Sequence, residues 1–301
     1  MEKLTSCPVC GKPDFSPFLQ VRDFFLSQEE FTIVSCESCR FKFINPRPDV
    51  KEISKYYESP DYVSHDTGER RTITFLYRII RKWSIKKKYD LVNNLSTDKK
   101  ILDIGCGTGE FILYCKRNGF EVQGIEPGVK PRSFAQKEYE LDVHEEEYLE
   151  TKLTPEFDII TLWHVLEHVH PLNERMKKIA NILKPGGTII IAVPNCDSWD
   201  AGHYGKYWAA YDLPRHLYHF SQENMQLLSK NHQLKILKIL PMKLDSFYIS
   251  LLSEKYATGK QKFFSAVING IRSNIFAKRN KNNYSSLIYV LKKDKTVNSD
   301  L

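Results

Sequence analysis

Cys7-Pro-Val-Cys10 and Cys36-Glu-Ser-Cys39 are two C-x2-C pairs. Each such turn can bring two soft sulfurs onto one ion, and four thiolates close a tetrahedral zinc shell. With every position filled by protein, a zinc ion held there is structural rather than catalytic. A segment of about 40 residues is too small for a large core, so a metal staple has a physical reason to exist. The other cysteines, Cys106, Cys115 and Cys196, are scattered and suggest no metal site. A second reactive group is Trp163-His164-Val165-Leu166-Glu167-His168. Read as a helix start, it puts His164, Glu167 and His168 on one face, in an H-x-x-E-H pattern compatible with a divalent metal. A third lies in PNCDSWDAGHYGKYWAAYDLPRHLYHFS (194–221), where seven aromatic side chains surround Arg215, His216 and His219. The aromatics could wall a ring, Arg215 could grip a phosphate or carboxylate, and histidine is the natural general base near neutral pH. The competing reading of Arg215 is a clamp paired with Asp212 or another acid.

These groups need a scaffold, and ILDIGCGTG (101–109) begins it. Ile101, Leu102 and Ile104 read as a buried parallel strand that breaks at Gly105, Gly107 and Gly109. A helix starts at Glu110 and stops near Lys116, Arg117 and Gly119. A second strand, Phe120 to Ile125, ends in Glu126. A strand, glycine turn, helix, strand and acid in this order bind a nucleoside at the strands' carboxyl ends, with the acid on the ribose hydroxyls. A dinucleotide fingerprint would need glycine or alanine at 110, where Glu110 stands. Asp103 would repel a pyrophosphate but favours a sulfonium and an α-ammonium. The expected ligand is therefore cationic at its reactive end.

Over roughly residues 96–245 the chain resembles the class I S-adenosylmethionine-dependent methyltransferases. FDIITLWHVLEHV (157–169) looks like their fourth strand and following helix start, and LKPGGTIIIAVPN (183–195) like their turn and fifth strand. The resemblance implies an α/β fold with a seven-stranded Rossmann-like sheet, mostly parallel with the last strand antiparallel. The expected cofactor shell is Asp103, Gly105, Cys106, Gly107, Gly109, Glu126 and Pro127, with His164 lining the methionine pocket. H-x-x-E-H also looks like the E-x-x-E-H metal segment of the ubiquinone-pathway O-methyltransferases, with His164 replacing the first Glu. The plainer reading leaves Glu167 and His168 holding the helix by hydrogen bonds. The cysteine module together with YDLPRHLYHF resembles bacterial sugar C-methyltransferases and quinone methylases. That likeness implies His216 as base and Tyr211 as helper, with Arg215 and His168 beside them; the large extra C-terminal domain of the sugar enzymes has no counterpart here.

Composition sets the remaining bounds. The chain has 301 residues, is 42% hydrophobic and 27% charged, and carries a formal charge of +7. No apolar run approaches the ~18 residues of a membrane span, and the N-terminus has no signal-peptide core, so a cytoplasmic setting with reduced thiols is expected. RRTITFLYRIIRKWSIKKK (70–88) has eight basic residues and no acid, with Ile73, Leu76, Ile80 and Trp83 at helical spacing. A second basic region runs from Lys255 to Arg279, and an acidic stretch from Glu138 to Glu150. The basic helix reads as a solvated face packed on the catalytic domain, with membrane-surface or nucleic-acid contact as alternatives. Expected boundaries are 1–45 for the zinc module, 46–98 for a helical cap and 99–301 for the methyltransferase domain, with a helical insertion near 246–284. Strands are expected near 100–104, 120–125, 141–144, 157–162, 187–193, 235–241 and 286–292. The leading functional reading is a methyltransferase with S-adenosylmethionine as cofactor and structural zinc. Its acceptor would be a small metabolite, a nucleotide-sugar or a glycolipid or polysaccharide precursor. The alternatives are an RNA or protein methyltransferase and a non-catalytic cofactor-binding scaffold.

Overall fold

The apolar runs ILDI, FDIITLW and TIIIAVP have no polar alternation, which suits strands covered on both faces. In the computed structural model, which describes residues 1–57, 71–95, 99–152 and 154–293, they form the middle of a seven-stranded sheet. The strands are β1 (Phe15–Arg22), β2 (Glu30–Cys36), β3 (Lys42–Ile44), β4 (Lys100–Ile104), β5 (Glu121–Ile125), β6 (Val143–His144), β7 (Phe157–Trp163), β8 (Leu183–Pro194), β9 (Tyr218–His219), β10 (Leu234–Pro241) and β11 (Ser286–Lys293). The large sheet has the order β10-β11-β8-β7-β4-β5-β6. β4 pairs in parallel with both β5 and β7, with Asp103 opposite Gly124 on one side and Thr161 on the other. The sheet is mostly parallel with its last strands antiparallel, as expected. β10 lies at an edge, and its exposed Lys235 and Lys238 discourage pairing with another chain. β8 is longer than expected, because the predicted turn at Lys184–Gly187 is part of the strand.

The helices are α1 (Arg71–Asn93), α2 (Glu110–Arg117), α3 (Val129–Tyr139), α4 (Tyr148–Thr151), α5 (Leu172–Ile182), α6 (Trp199–Tyr204), α7 (Gln222–Asn231), α8 (Asp245–Thr258) and α9 (Phe263–Arg279). The basic run 70–88 is thus helical from 71, although the side chains of 71–80 lie outside what the structure describes. Further along α1, Arg81 pairs with Glu110 at 2.6 Å and Tyr89 sets its ring edge-on to Tyr114 and Phe120. Residues 58–70, also expected to be helical, lie outside the described residues.

Over its described residues the chain forms two compact units. One comprises Met1–Val63, His164–Arg175 and Ala192–Tyr289; the other comprises Ser64–Trp163, Met176–Ile191 and Val290–Leu301. The N-terminal strands do not stand alone: β1, β2, β3 and β9 form a four-stranded sheet, with Phe43 opposite Tyr218 and Lys42 opposite His219. Asn224 in α7 donates to the Cys39 carbonyl at 2.8 Å, and Asn231 to that of Val9 at 2.7 Å. The cysteine turns are therefore bound to residues 185 and 222 positions away, which no local sequence signal could reveal. The expected insertion is a pair of helices, α8 and α9, between the edge strand β10 and its sheet neighbour β11 in chain order.

Gly109 shows how closely the turn after β4 is built. Its φ is +79°, a left-handed value that only glycine adopts cheaply, and a Cβ there would meet Leu141 Cδ1 at 2.6 Å. Gly109→Ala should therefore lower unfolding free energy by about 1–3 kcal/mol, measured by denaturant titration. An unchanged midpoint would mean the turn can relax.

Candidate functional site

The two cysteine turns are near copies. Gly11 N donates to Cys7 O and Arg40 N to Cys36 O, both at 2.8 Å, and the residue after each second cysteine has positive φ. All four sulfurs lie within 4.8 Å of one another, with Cys7 to Cys39 at 3.6 Å and Cys10 to Cys36 at 3.5 Å. A disulfide needs ~2.05 Å, whereas a tetrahedral shell with Zn–S bonds of ~2.3 Å has edges of ~3.8 Å. Burial pushes the Cys7 thiol up and that of Cys39 to about 12; burial acts likewise on Cys36, but the Cys39 amide and neighbouring thiols hold it below the usual value. Four thiolates this close need a cation to balance them, and the four cysteines are positioned to bind zinc.

In the other unit, Gly105 N and Cys106 N both donate to the Ile125 carbonyl, at 2.7 and 3.0 Å, pinning the glycine turn to the end of β5. Glu126 straddles that turn: Oε2 accepts from Gly107 N and Oε1 from Gly128 N, each at 2.8 Å. Each carboxylate oxygen keeps a second lone pair, which suits two vicinal hydroxyls. A Cβ on Gly107 would meet nothing within 4 Å, so the turn has an open side. Arg132 holds the Glu126 and Pro127 carbonyls at 2.7 and 2.9 Å. Asp103 is buried and accepts a hydrogen bond from the Thr161 hydroxyl. Burial raises its carboxyl to about 7, against the pull of Thr161 and Lys88. The Cys106 sulfur lies where a Cβ of Gly124 would come within 2.7 Å, so it packs beneath the turn and leaves its backbone as the part available to a ligand.

The histidines are arranged differently from the expected helical face. His164 has φ +56°, and only Leu166–His168 form a turn, of 3-10 type. His164 points its two ring nitrogens at Asp245 (3.2 Å) and Glu167 (3.4 Å). Burial would lower its pKa, but the two carboxylates outweigh that and raise it to about 10. As a cation it has no lone pair for a metal. His168 is the opposite case: burial, reinforced by the neighbouring His216 imidazole, lowers its pKa to about 4. Its Nδ1–H is shared between the Arg215 carbonyl (3.0 Å) and the Tyr57 hydroxyl (2.9 Å). His216 donates from Nδ1 to the Ala210 carbonyl at 2.8 Å, which leaves Nε2 with its lone pair. Among the described residues, the ligand atoms that come within 4.8 Å of one another here are those of Glu167, His168 and His216, without His164. Glu167 is fully buried, and neither carboxylate oxygen has a hydrogen-bond partner among the described residues; its contact with His164 is ionic only. A buried carboxylate so placed beside two imidazole lone pairs fits a divalent cation.

Two expectations for the 194–221 stretch change. Arg215 does not face outward: it is 2% exposed, with Nη2 on Asp23 (3.0 Å) and Asp212 (2.7 Å), Nε on Asp212 (3.0 Å) and Nη1 on the Tyr56 carbonyl (3.1 Å). It is the clamp of the competing reading. The aromatics are mostly core: Tyr204, Trp208, Tyr211, Tyr218 and Phe220 are buried, so they do not form an open stacking wall. Tyr211 packs edge-on to Trp208 and His219, and burial pushes its hydroxyl up. Asp23, Tyr57 and Asp245 serve this site unannounced, because each reaches it from far along the chain and none sits in a recognisable motif.

Residues 76–239 match the family model described as a methyltransferase domain, and the chain belongs to that family. Among curated relatives, a ubiquinone biosynthesis O-methyltransferase of Aeromonas salmonicida is 28% identical over 156 residues, 49% of this chain and 63% of that protein. One from Escherichia coli O7:K1 is 31% identical over 106 residues, covering 32% of this chain and 43% of the relative. The match thus spans less than two thirds of either relative. Of the solved structures, a SAM dependent methyltransferase from Archaeoglobus fulgidus aligns with TM-score 0.51 at 20% identity, over 74% of this chain and 100% of its own. A geranyl diphosphate methyltransferase in complex with SAM aligns with TM-score 0.54 at 12% identity, over 76% and 93%. At such identities these likenesses are of fold.

The two opposite histidine shifts have opposite effects on stability. His164 has a raised pKa, so its contribution is complete below ~6.5 and is lost as pH rises toward about 10. The unfolded chain protonates His168 more readily, so stability is lost as pH falls from ~6.5 toward about 4. Denaturant unfolding at pH 5, 7 and 9 should show Asp245→Asn flattening the alkaline limb and His168→Gln the acid limb. Unaltered limbs in both variants would remove these two groups from the account.

Proposed function

We propose that the protein is an S-adenosylmethionine-dependent methyltransferase acting on a small metabolite, a nucleotide-sugar or a glycolipid or polysaccharide precursor. The observation that carries this reading is the Glu126 carboxylate held across the glycine turn by two backbone amides, its spare lone pairs suited to a ribose. The cofactor supplies a methyl group made electrophilic by a sulfonium, so the chain mainly positions the acceptor and manages its proton. Gly105, Cys106, Gly107 and Gly109 offer backbone approach, Glu126 takes the sugar, and Asp103 offers a carboxylate to an α-ammonium. His216 is the base: its Nδ1–H is committed to Ala210, and the proton of an acceptor hydroxyl or carbon acid passes to Nε2. Arg215, His168 and Tyr211 position it. A second use of the same residues is favoured by Glu167, whose carboxylate has no hydrogen-bond partner among the described residues: with His168 and His216 it would hold a divalent cation. When bound, such a cation supplies Lewis acidity to an acceptor hydroxyl.

The test is transfer of labelled methyl from S-adenosylmethionine into a fractionated lysate, separating lipid, carbohydrate, RNA, protein and small-molecule pools. Label is expected in the carbohydrate, lipid or small-molecule pool. His216→Ala should cut turnover by ~10²–10⁴ while cofactor affinity changes little. Label in RNA or protein would overturn the acceptor class, and binding without transfer would favour a scaffold. Loss of activity with a chelator too weak to strip the cysteine site, restored by magnesium or manganese, would select the cation-assisted form.

We also propose that Cys7, Cys10, Cys36 and Cys39 hold one structural zinc. Elemental analysis of protein purified without chelator should give about one equivalent, and Cys36→Ser should lose it together with several kcal/mol of stability. Metal-free protein with an unchanged melting profile would defeat this assignment.

A further inference from the structure

α9 is patterned the wrong way round for a helix on a water-soluble surface. Ala266, Asn269, Gly270, Ser273 and Ala277 recur at three- and four-residue steps and are buried. Phe264, Val267, Ile268, Ile271 and Ile275 recur in the same way and are exposed, Phe264 at 86%. The buried stripe is satisfied by partners of its own. Asn269 donates to the Tyr204 hydroxyl at 2.9 Å and to Glu254 at 3.2 Å, and Ser273 donates to Asp200 at 2.8 Å. Asp200 also accepts from Trp208 at 2.9 Å and Ser285 at 2.6 Å. A Cβ on Gly270 would meet the Phe247 ring at 2.6 Å, so α9 lies tight on α8. The orientation is thus set by a hydrogen-bonded polar seam, and turning the helix over would leave that seam unsatisfied. The large side chains are consequently presented outward, with Phe263 and Phe276 at the two ends and Tyr248 of α8 also exposed.

We infer that this face is a docking surface for an anionic lipid bilayer, entered from one side without crossing. Charge selects that occupant. From Lys255 through Lys293 the sequence has nine lysines and arginines and no acid. Lys260 and Lys262 precede the stripe, Arg272 interrupts it, and Lys278, Arg279 and Lys281 follow it, all exposed. Apolar side chains ringed by long cationic ones suit the headgroup boundary: Phe and Ile enter the acyl region while Lys and Arg reach back to phosphates. A second copy of the chain is disfavoured, because a two-fold contact through this patch would set cations against cations. No helix among the described residues is long and apolar enough to cross a membrane, which fits a surface mode of attachment. This inference does not rest on the methyl-transfer reading.

The experiment is co-sedimentation of the full chain with vesicles of phosphatidylcholine alone or with about one third phosphatidylglycerol. Binding should be at least about tenfold tighter to the anionic vesicles and should weaken in high salt. The triple variant Phe264→Ser, Ile268→Ser, Ile271→Ser should bind at least about tenfold more weakly, with an unchanged circular dichroism melt. The triple variant Lys278→Glu, Arg279→Glu, Lys281→Glu should lose the preference for anionic vesicles. The inference is overturned if the wild-type chain stays in the supernatant with both vesicles, if it binds them equally, or if neither variant differs from it. A dimer by light scattering that the serine variant converts to monomer would also overturn it, by showing that a second copy covers the face.

Discussion

The buried guanidinium of Arg215 is the contact on which the histidine chemistry depends. A charge taken out of water costs several kcal/mol unless it is paired and fully hydrogen-bonded. Arg215 meets that requirement between Asp23 and Asp212, with the Tyr56 carbonyl taking a further donor. Asp23 is equally committed. Burial would raise its carboxyl, yet Arg215 and the turn at Ser27 hold it below the usual range. The consequence is positional. The carbonyl of Arg215 receives Nδ1–H of His168, and the next residue is His216, whose own Nδ1–H is fixed on Ala210. One ion-pair network, joining β1's end to the 194–221 loop, thereby determines the tautomer and direction of two imidazoles.

Electrostatic environment then divides three histidines of near-identical chemistry into different roles. His164 faces two carboxylates and is a fixed cation. His168, four residues later, is buried against another imidazole and is neutral across the working pH range. His216 has Nδ1–H on the Ala210 carbonyl and Nε2 4.0 Å from Asp212. Nearby carboxylates raise one imidazole and burial lowers the other, so His164 and His168 are pushed apart although they stand four residues from each other. The glycine turn uses a different device: backbone amides held by Glu126, with the buried Asp103 carboxylate close by in sequence, leave little side-chain freedom.

The unit holding the histidines also joins parts distant in sequence. β3 pairs with β9, and α7 holds both cysteine turns by their carbonyls. A zinc shell at Cys7, Cys10, Cys36 and Cys39 would therefore brace the strands that carry Asp23 as well as its own turns. In the same unit the α8–α9 pair spends its polar residues inward, on Asp200 and Glu254, and its apolar residues outward. Hydrogen-bonding demand, not hydrophobic burial, decides which side of α9 faces the protein.

The glycine turn, the acid after β5, the parallel core strands and the paired cysteines were legible from sequence, because each is a local pattern whose geometry follows from residue type and spacing. Strand positions fell within a few residues for the same reason, and the helical content of the insertion followed from its length. Tertiary structure decided the rest. Arg215 became a clamp because Asp23, 192 positions earlier, folds onto it. His168 joined His216 rather than His164, with Glu167 touching both sides, because the chain turns through positive φ at His164 instead of starting a helix there. The aromatic loop became core, and the small-residue side of α9 turned inward, because burial depends on partners that spacing along the chain does not name. Local patterns are determined over a few residues, whereas pairing of charges and covering of faces are determined by contacts that exist only after the chain has folded.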